Sequence, residues 1–207
     1  MSTDYPAEPW QLRGELLVSA FLVPADELPA GSVLPGRRPL RWGRRVLVGA
    51  AFVRYEGGVL EYDELLVAVP SRGRGGLRVT IPLIWVDSPA SRAGGRELWA
   101  IPKELAEFTR TVDGNEVEAT MGEVATLHAR YGRALLPRSQ RLPLSTLQRL
   151  DGRTIDSRNL TIGRLTRLRT AWTFTGPLTF LAGRRPVLGV AIRDARIIFG
   201  MDVDRDQ

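Results

Sequence analysis

Residues 45–86 read RVLVGAAFVRYEGGVLEYDELLVAVPSRGRGGLRVTIPLIWV. Apolar and β-branched runs (Arg45–Tyr55, Val59–Val69, Leu77–Val86) alternate with glycine-bearing breaks at Glu56-Gly57-Gly58 and Arg72–Gly76. Runs of this length bounded by such breaks are the signature of consecutive antiparallel strands. The last run is almost wholly apolar, so a buried strand is expected there. On the N-terminal side, Glu15–Val23 reads as another strand closed by Pro24, then a turn or short helix at Asp26–Leu28 and a loop over 29–39 punctuated by Pro and Gly.

On the C-terminal side a helix is expected. Asp87 or Ser88 can cap it and Pro89 suits its first turn; it would run to about Leu98, weakened by Gly94-Gly95, before Pro102 interrupts. Glu107–Val112 and Asn115–Met121 flank Asp113-Gly114, a strong hairpin signal, and Val124–Tyr131 should lie alongside. A Pro-rich connection (Leu135–Leu144) then leads to strand-like stretches at Leu160–Phe174, Leu178–Leu181 and Val187–Phe199. The expected fold is mainly β, bordering on α+β: a single antiparallel β-rich domain over 9–201 with few short helices, closed or packed into a barrel-like or sandwich core. Residues 1–8 are expected to form a flexible arm and 202–207 a flexible tail.

Composition narrows the function classes. A chain of 207 residues suits one domain, and a domain of this size removes roughly 70% of its unfolded surface from water. With 43% hydrophobic and 25% charged residues it is an ordinary globular sequence, not a disordered or coiled-coil one. Its longest apolar run, Val46–Val53, falls far short of the ~18–20 residues that span a membrane, so no membrane partner is expected. The N-terminus has no basic flank leading into an apolar stretch, which favours a cytoplasmic location.

The absence of cysteine excludes a disulfide framework and thiolate metal sites. The only histidine, His128, lacks a second histidine to share an ordinary zinc site, so no metal is expected. The net charge of +6 comes from scattered arginines without a recognition motif; it reads as a solvated surface, with no nucleic-acid partner. Ser71, Ser88 and Ser91 have no nucleophile-elbow setting, and the Gly73 and Gly75-Gly76 loop is no phosphate cradle.

One census is sharper. Of the 29 basic residues, 28 are arginine and one, Lys103, is lysine. Arginine stays protonated in proteins, whereas a lysine in an apolar site can become a neutral amine. Only that amine attacks a carbonyl to form a Schiff base. Lys103 follows Trp99-Ala-Ile-Pro102, an apolar approach expected to lower its pKa. Glu64, in Glu61-Tyr-Asp-Glu64 at the start of an apolar strand, is a candidate proton donor or acceptor.

The segment Gly95-Arg-Glu-Leu98 with Ala100-Ile-Pro-Lys103 and Leu105 resembles the stretch of the acetoacetate decarboxylase superfamily that leads to its Pro-Lys Schiff-base site. Tyr62-Asp-Glu64 resembles that family's Tyr-x-Glu, and Pro9–Glu15, more loosely, its first strand. The resemblance implies a β-rich cone or barrel enclosing an apolar cavity and a homo-oligomer. It also implies a covalent imine on lysine with a small-molecule keto substrate and no cofactor. Acetoacetate decarboxylase is the standing example of a lysine activated by an apolar pocket or a cationic neighbour. Lys103 and Glu64 match its catalytic positions; Tyr62, Arg96, Glu97, Trp99 and Glu104 are the candidate supporting or substrate-binding residues. Arg96 and Glu97 are expected to pair at the helix end, and Trp99 and Trp85 to form core or cavity wall.

Three positions depart from the family. Glu104 stands where the decarboxylase has a second lysine. Gly14 falls at or near its first-strand arginine, and Gly49 at a second acid. The expected function is therefore a Schiff-base lyase acting on a small keto acid or ketone. The alternatives are an aldolase or dehydratase of the same superfamily, or a non-catalytic binder with the same apolar cavity.

Overall fold

A computed structural model describes residues 5–206. In chain order the strands are β1 (Trp10–Pro24), β2 (Arg38–Pro39), β3 (Arg41–Trp42), β4 (Arg45–Gly58), β5 (Tyr62–Gly73) and β6 (Gly76–Val86). The helix α1 (Pro89–Trp99) follows, then β7 (Lys103–Leu105), β8 (Phe108–Asp113), β9 (Glu116–Met121), β10 (Ala125–Ala134), β11 (Gln140–Leu150), β12 (Arg153–Phe174) and β13 (Leu188–Asp206). Short 3-10 turns occupy Ala25–Glu27 and Gly176–Leu181.

The strands close into a seven-stranded barrel. Its neighbours run β1, β4, β5, β6, β11, β12, β13 and back to β1. Every pairing in this ring is antiparallel except β6 with β11, which is parallel and rests on the single partner pair Thr146↔Val79. The long strand β12 changes neighbours along its length: Arg153–Gly163 pairs β11, whereas Thr166–Phe174 pairs β10. From that second half β10, β9 and β8 continue as a hairpin-linked extension.

Strand alternation sends each wall's side chains to two cores. Val46, Val48, Ala50 and Phe52 of β4 join Leu65, Val67 and Val69 of β5, the β8–β10 extension and the turn residues Leu178 and Leu181. The intervening residues Ala51, Val53 and Tyr55 face the other way, with Tyr62, Ile81, Ile84, Val86, Ala195 and Ile197, and α1 adds Trp99 to this inner core.

The turn-delimited strands at 45–86, the helix and the 108–121 hairpin lie where the sequence placed them, within a few residues. Three expectations are corrected. Leu178–Leu181 is a 3-10 turn rather than a strand: Pro177 opens it, and a three-residue spacing puts Leu178 and Leu181 together in the core. The connection expected over Leu135–Leu144 already contains β11 from Gln140 onward. The tail expected from residue 202 is strand through Asp206, paired with the start of β12 from Thr154↔Asp206 to Arg158↔Asp202. Of the arm expected over 1–8, residues 1–4 lie outside the described residues. Pro6 and Glu8 are anchored, their oxygens accepting from Trp10 Nε1 at 2.8 Å and Trp99 Nε1 at 3.0 Å.

Candidate active site

The site is assembled by the return of the chain after α1. Ser88 caps the helix, its hydroxyl accepting from the Ser91 N–H, and Pro89 occupies the first turn. At the other end Ala100 takes the left-handed conformation (φ 53°) and its N–H, like that of Ile101, bonds to Gly95 O. This cap turns Pro102 back so that β7 lies parallel to β6, with Lys103 opposite Ile84. Asp87 ties the start of the helix to β5: its carboxylate accepts from the Asp63 N–H at 2.8 Å.

Lys103 enters the inner core across the face of α1. A Cβ on Gly95 would stand 2.6 Å from Lys103 Cδ, so the lysine stem occupies the space a side chain would need. Gly94 plays the same part for the Trp10 ring, which would lie 2.4 Å from an added Cβ. The two glycines that weaken the helix by propensity are thus the places where it is approached most closely.

Lys103 is only 4% exposed, and Nζ has three oxygen neighbours: Glu64 Oε2 at 2.8 Å, Ser91 Oγ at 2.9 Å and Tyr62 Oη at 3.3 Å. Nζ also lies 4.9 Å from the centre of the Tyr62 ring. Tyr55 packs against Tyr62 with the rings tilted by 37° and their centres 4.5 Å apart, and its hydroxyl donates to Glu64 Oε1 at 3.4 Å. Glu64 is 3% exposed. Asp63, one residue away, points outward and pairs with Arg54 at 2.5 Å, which is the strand alternation that separates the Tyr-x-Glu pair from its neighbours.

The electrostatics correct one expectation. Burial pushes the Lys103 ammonium down, as an apolar approach should. The Glu64 carboxylate and the Tyr62 hydroxyl push it up, and the balance leaves it above the ordinary lysine value. Three acceptors around one nitrogen match the three N–H bonds of an ammonium. In the resting site the lysine is therefore one half of a buried ion pair, not a free amine. Burial raises both phenols: Tyr55 lies well above the ordinary tyrosine value, with Glu64 adding to the effect, and Tyr62 rises less because Lys103 opposes it.

The structure sorts the sequence candidates cleanly. It brings Lys103, Glu64 and Tyr62 together. Arg96 stands outside: it pairs with Glu104 at 2.8 Å and donates to Lys103 O at 3.3 Å, bracing the strand that carries the lysine. The expected partner Glu97 instead lies 3.7 Å from Arg153. Glu104 is more than half exposed and faces Arg92 and Arg96, away from Nζ, because adjacent strand residues point to opposite sides. Trp99 is core, packed edge-on against Trp10 and Phe199. His128 sits on β10 beside Glu118, an exposed pair.

Sequence reasoning missed Ser91 and Tyr55. The buried small residues Ser91, Gly94 and Gly95 share one face of α1 at spacings of three and four, which is the signal that something packs closely there.

At Gly14 a Cβ would meet Arg54 O at 1.9 Å, so this backbone admits no side chain there, and Arg13 beside it is exposed. Gly49 lies opposite Ala68 on the inner face. The inner-face rows of β1, β4, β5 and β6 that hold Glu64 and Ile84, the strand partner of Lys103, are Leu16, Val53, Glu64 and Val86, then Val18, Ala51, Leu66 and Ile84. Glu64 is their one charged member. Leu16, Val18, Leu66 and Ala68 on this face are half-buried and pack against the inner core.

Comparison with known proteins agrees with this architecture. The chain is similar in structure to the acetoacetate decarboxylase of Legionella pneumophila, with 19% identity and a TM-score of 0.74 over 100% of this chain and 90% of that one. It is similar to the enduracididine biosynthesis enzyme MppR complexed with pyruvate, with 15% identity and a TM-score of 0.65 over 97% and 91%. An acetoacetate decarboxylase-like enzyme from Sphingomonas wittichii RW1 gives 15% identity and a TM-score of 0.59 over 98% and 94%. Against curated proteins the sequence finds no significant match. The sequence profile described as acetoacetate decarboxylase (ADC) matches residues 2–183, and the chain belongs to the acetoacetate decarboxylase family.

Proposed function

We propose that the protein is a Schiff-base-forming lyase that acts on a small keto acid or ketone through an imine at Lys103, with Glu64 moving the protons. One observation carries the reading: the only lysine of the chain is buried in the inner core with Nζ 2.8 Å from a buried carboxylate. Transfer of one proton across that contact converts the ion pair into a neutral amine and a carboxylic acid. The amine adds to the substrate carbonyl; the acid protonates the carbinolamine oxygen, which leaves as water and yields the imine. The imine then draws the electron pair from a breaking carbon–carbon bond, and for a β-keto acid the departing group is carbon dioxide.

Tyr62 and Ser91 hydroxyls hold the nitrogen in place through this sequence. Lysine supplies the covalent chemistry, so no cofactor is called for. On this reading the protein works in the cytoplasm as a homo-oligomer, and the pyruvate complex of the similarly folded MppR fits a keto-acid substrate.

A second reading within the family, an aldolase or dehydratase acting on an uncharged ketone or aldehyde, is favoured by the absence of a cation from the inner rows of β1, β4, β5 and β6 around Lys103. Incubation with keto acids, ketones and aldehydes, followed by borohydride reduction and mass spectrometry, tests both. An adduct on Lys103 is expected, and Lys103→Arg should abolish it. Preference between acids and neutral carbonyls separates the two chemistries. No adduct across the panel would leave a non-catalytic binder.

A further inference from the structure

The arginines are scattered along the sequence, yet the fold gathers many of them at one end of the barrel. The β4–β5 ladder stops at Gly49↔Ala68, and beyond it β2 and β3 fill the opening between the two strands. β2 pairs β5 (Arg38↔Arg72, Pro39↔Ser71), and β3 pairs β4 (Arg41↔Val46, Trp42↔Arg45). The β5–β6 hairpin continues the same end, with Arg72 opposite Leu77. Arg37 fastens these pieces: Nε donates to Ser71 Oγ at 2.9 Å, and its terminal nitrogens donate to Arg74 O at 3.0 Å and Gly76 O at 2.6 Å.

Six arginines at this end, Arg38, Arg41, Arg44, Arg45, Arg72 and Arg74, are exposed, and none forms an ion pair among the described residues. No acid occurs in 28–55 or 65–86, the segments that build this end. Asp156, which approaches from β12, is already held by Arg78 Nε, 2.8 Å from both carboxylate oxygens. A one-sign cluster of this kind repels itself, and a polyanion outside the molecule relieves that repulsion.

Two apolar side chains stand among the guanidiniums. Trp42, before the turn at Gly43 (φ 58°), is 79% exposed, and Leu77 is 48% exposed. The other four tryptophans are buried or half-buried. A single-stranded nucleic acid needs successive aromatic platforms for its bases, and this end offers one. Arginines around apolar tips match instead a plane of anionic headgroups over an apolar layer, where tryptophan settles at the boundary and each cation adds attraction.

We propose that this end of the barrel docks on an anionic lipid surface, with Trp42 and Leu77 entering the headgroup layer and the six arginines facing lipid phosphates. The attachment is peripheral, since no described helix is long and apolar enough to cross a membrane. It does not depend on the chemistry of Lys103, which pairs near the opposite end of β6.

Vesicles of equal parts phosphatidylcholine and phosphatidylglycerol are the probe, with pure phosphatidylcholine as control; co-sedimentation and tryptophan emission are the readouts. The protein should sediment with the anionic vesicles only, and added salt should release it. Emission should shift to the blue on binding, and Trp42→Ala should abolish the shift. Arg41→Gln/Arg44→Gln should weaken partitioning by about tenfold or more. Arg13→Gln/Arg196→Gln, the same loss of charge on β1 and β13, should weaken it far less. Urea midpoints of the Arg41/Arg44 variant and wild type should agree, so that lost binding is not lost folding. Equal binding to neutral vesicles, equal weakening in the two double variants, or an unshifted emission would overturn the proposal. So would tighter capture of an oligonucleotide at the same salt, or self-association through this end without vesicle binding.

Discussion

The nitrogen of Lys103 is held between two opposing effects, and which one wins decides how the site works. Burial alone would push the lysine below its ordinary value; the Glu64 carboxylate and Tyr62 hydroxyl reverse that and leave the ammonium raised. Amine reactivity in the wild type should therefore climb with pH beyond the ordinary lysine value of about 10.4. In Glu64→Gln the principal raising charge is gone and burial prevails, so the inflection should fall, each unit raising the free amine at neutral pH about tenfold. Reductive methylation with formaldehyde and cyanoborohydride, followed across pH by mass spectrometry, measures both inflections. Turnover of a keto substrate should fall in the same variant, because the acid that expels water is lost. An inflection unmoved by Glu64→Gln would show that the carboxylate does not set the state of the lysine. At this scale the buried Lys103–Glu64 pair was legible in the sequence, since a lone lysine among arginines and a carboxylate on an apolar strand stand out by type. Ser91 and Tyr55 were not, because a serine near a helix cap and a tyrosine in a strand carry no distinguishing chemistry until the elements meet.

Between residue and molecule, α1 does two jobs with adjacent glycines. Gly94 meets the Trp10 ring, a rigid wall fixed by its bond to Pro6 O; Gly95 meets the lysine stem. Gly94→Ala should lower stability, since overpacking a rigid neighbour costs about 1–3 kcal/mol and the helix propensity gained returns at most about 1 kcal/mol. Gly95→Ala should leave the urea midpoint closer to wild type, because the lysine stem can bend away, yet it should cut imine trapping at Lys103 by displacing Nζ from Glu64. Equal loss of stability with full trapping in both variants would contradict this division of roles. The elements themselves were read well wherever turn chemistry marked their ends, as at Glu56-Gly57-Gly58 and Asp113-Gly114. β11 escaped because Pro143 lies within it. The structure tolerates that proline where β6 joins β11 only at Thr146, leaving most of that edge unpaired. With β11 unseen, the first half of β12 and the last residues of β13 lost the partners that make them strands.

For the whole molecule, the barrel is strongest along the long antiparallel ladders of β12 with β13 and β1 with β4, and weakest where β6 meets β11. One parallel pair, two side-chain-to-backbone bonds and the Arg78–Asp156 ion pair close that seam. Arg78 Nε lies 2.8 Å from both Asp156 oxygens, and its side chain is 14% exposed. Closure by side chains is what no strand periodicity could announce, since the pattern of a strand says which face is buried and not which edge is paired. Asp156→Asn should therefore destabilise the fold by about 1 kcal/mol, the scale of a partly buried charge-assisted bond. Its effect on motion should be local: amides of β11 and of Thr80–Leu83 should exchange faster than those of β1 and β13 in the wild type, and faster still in the variant, while Lys103 keeps its trapping rate. Hydrogen exchange resolved by peptide, paired with urea unfolding, measures both. Uniform acceleration across the barrel would mean that the seam is not where the structure opens first.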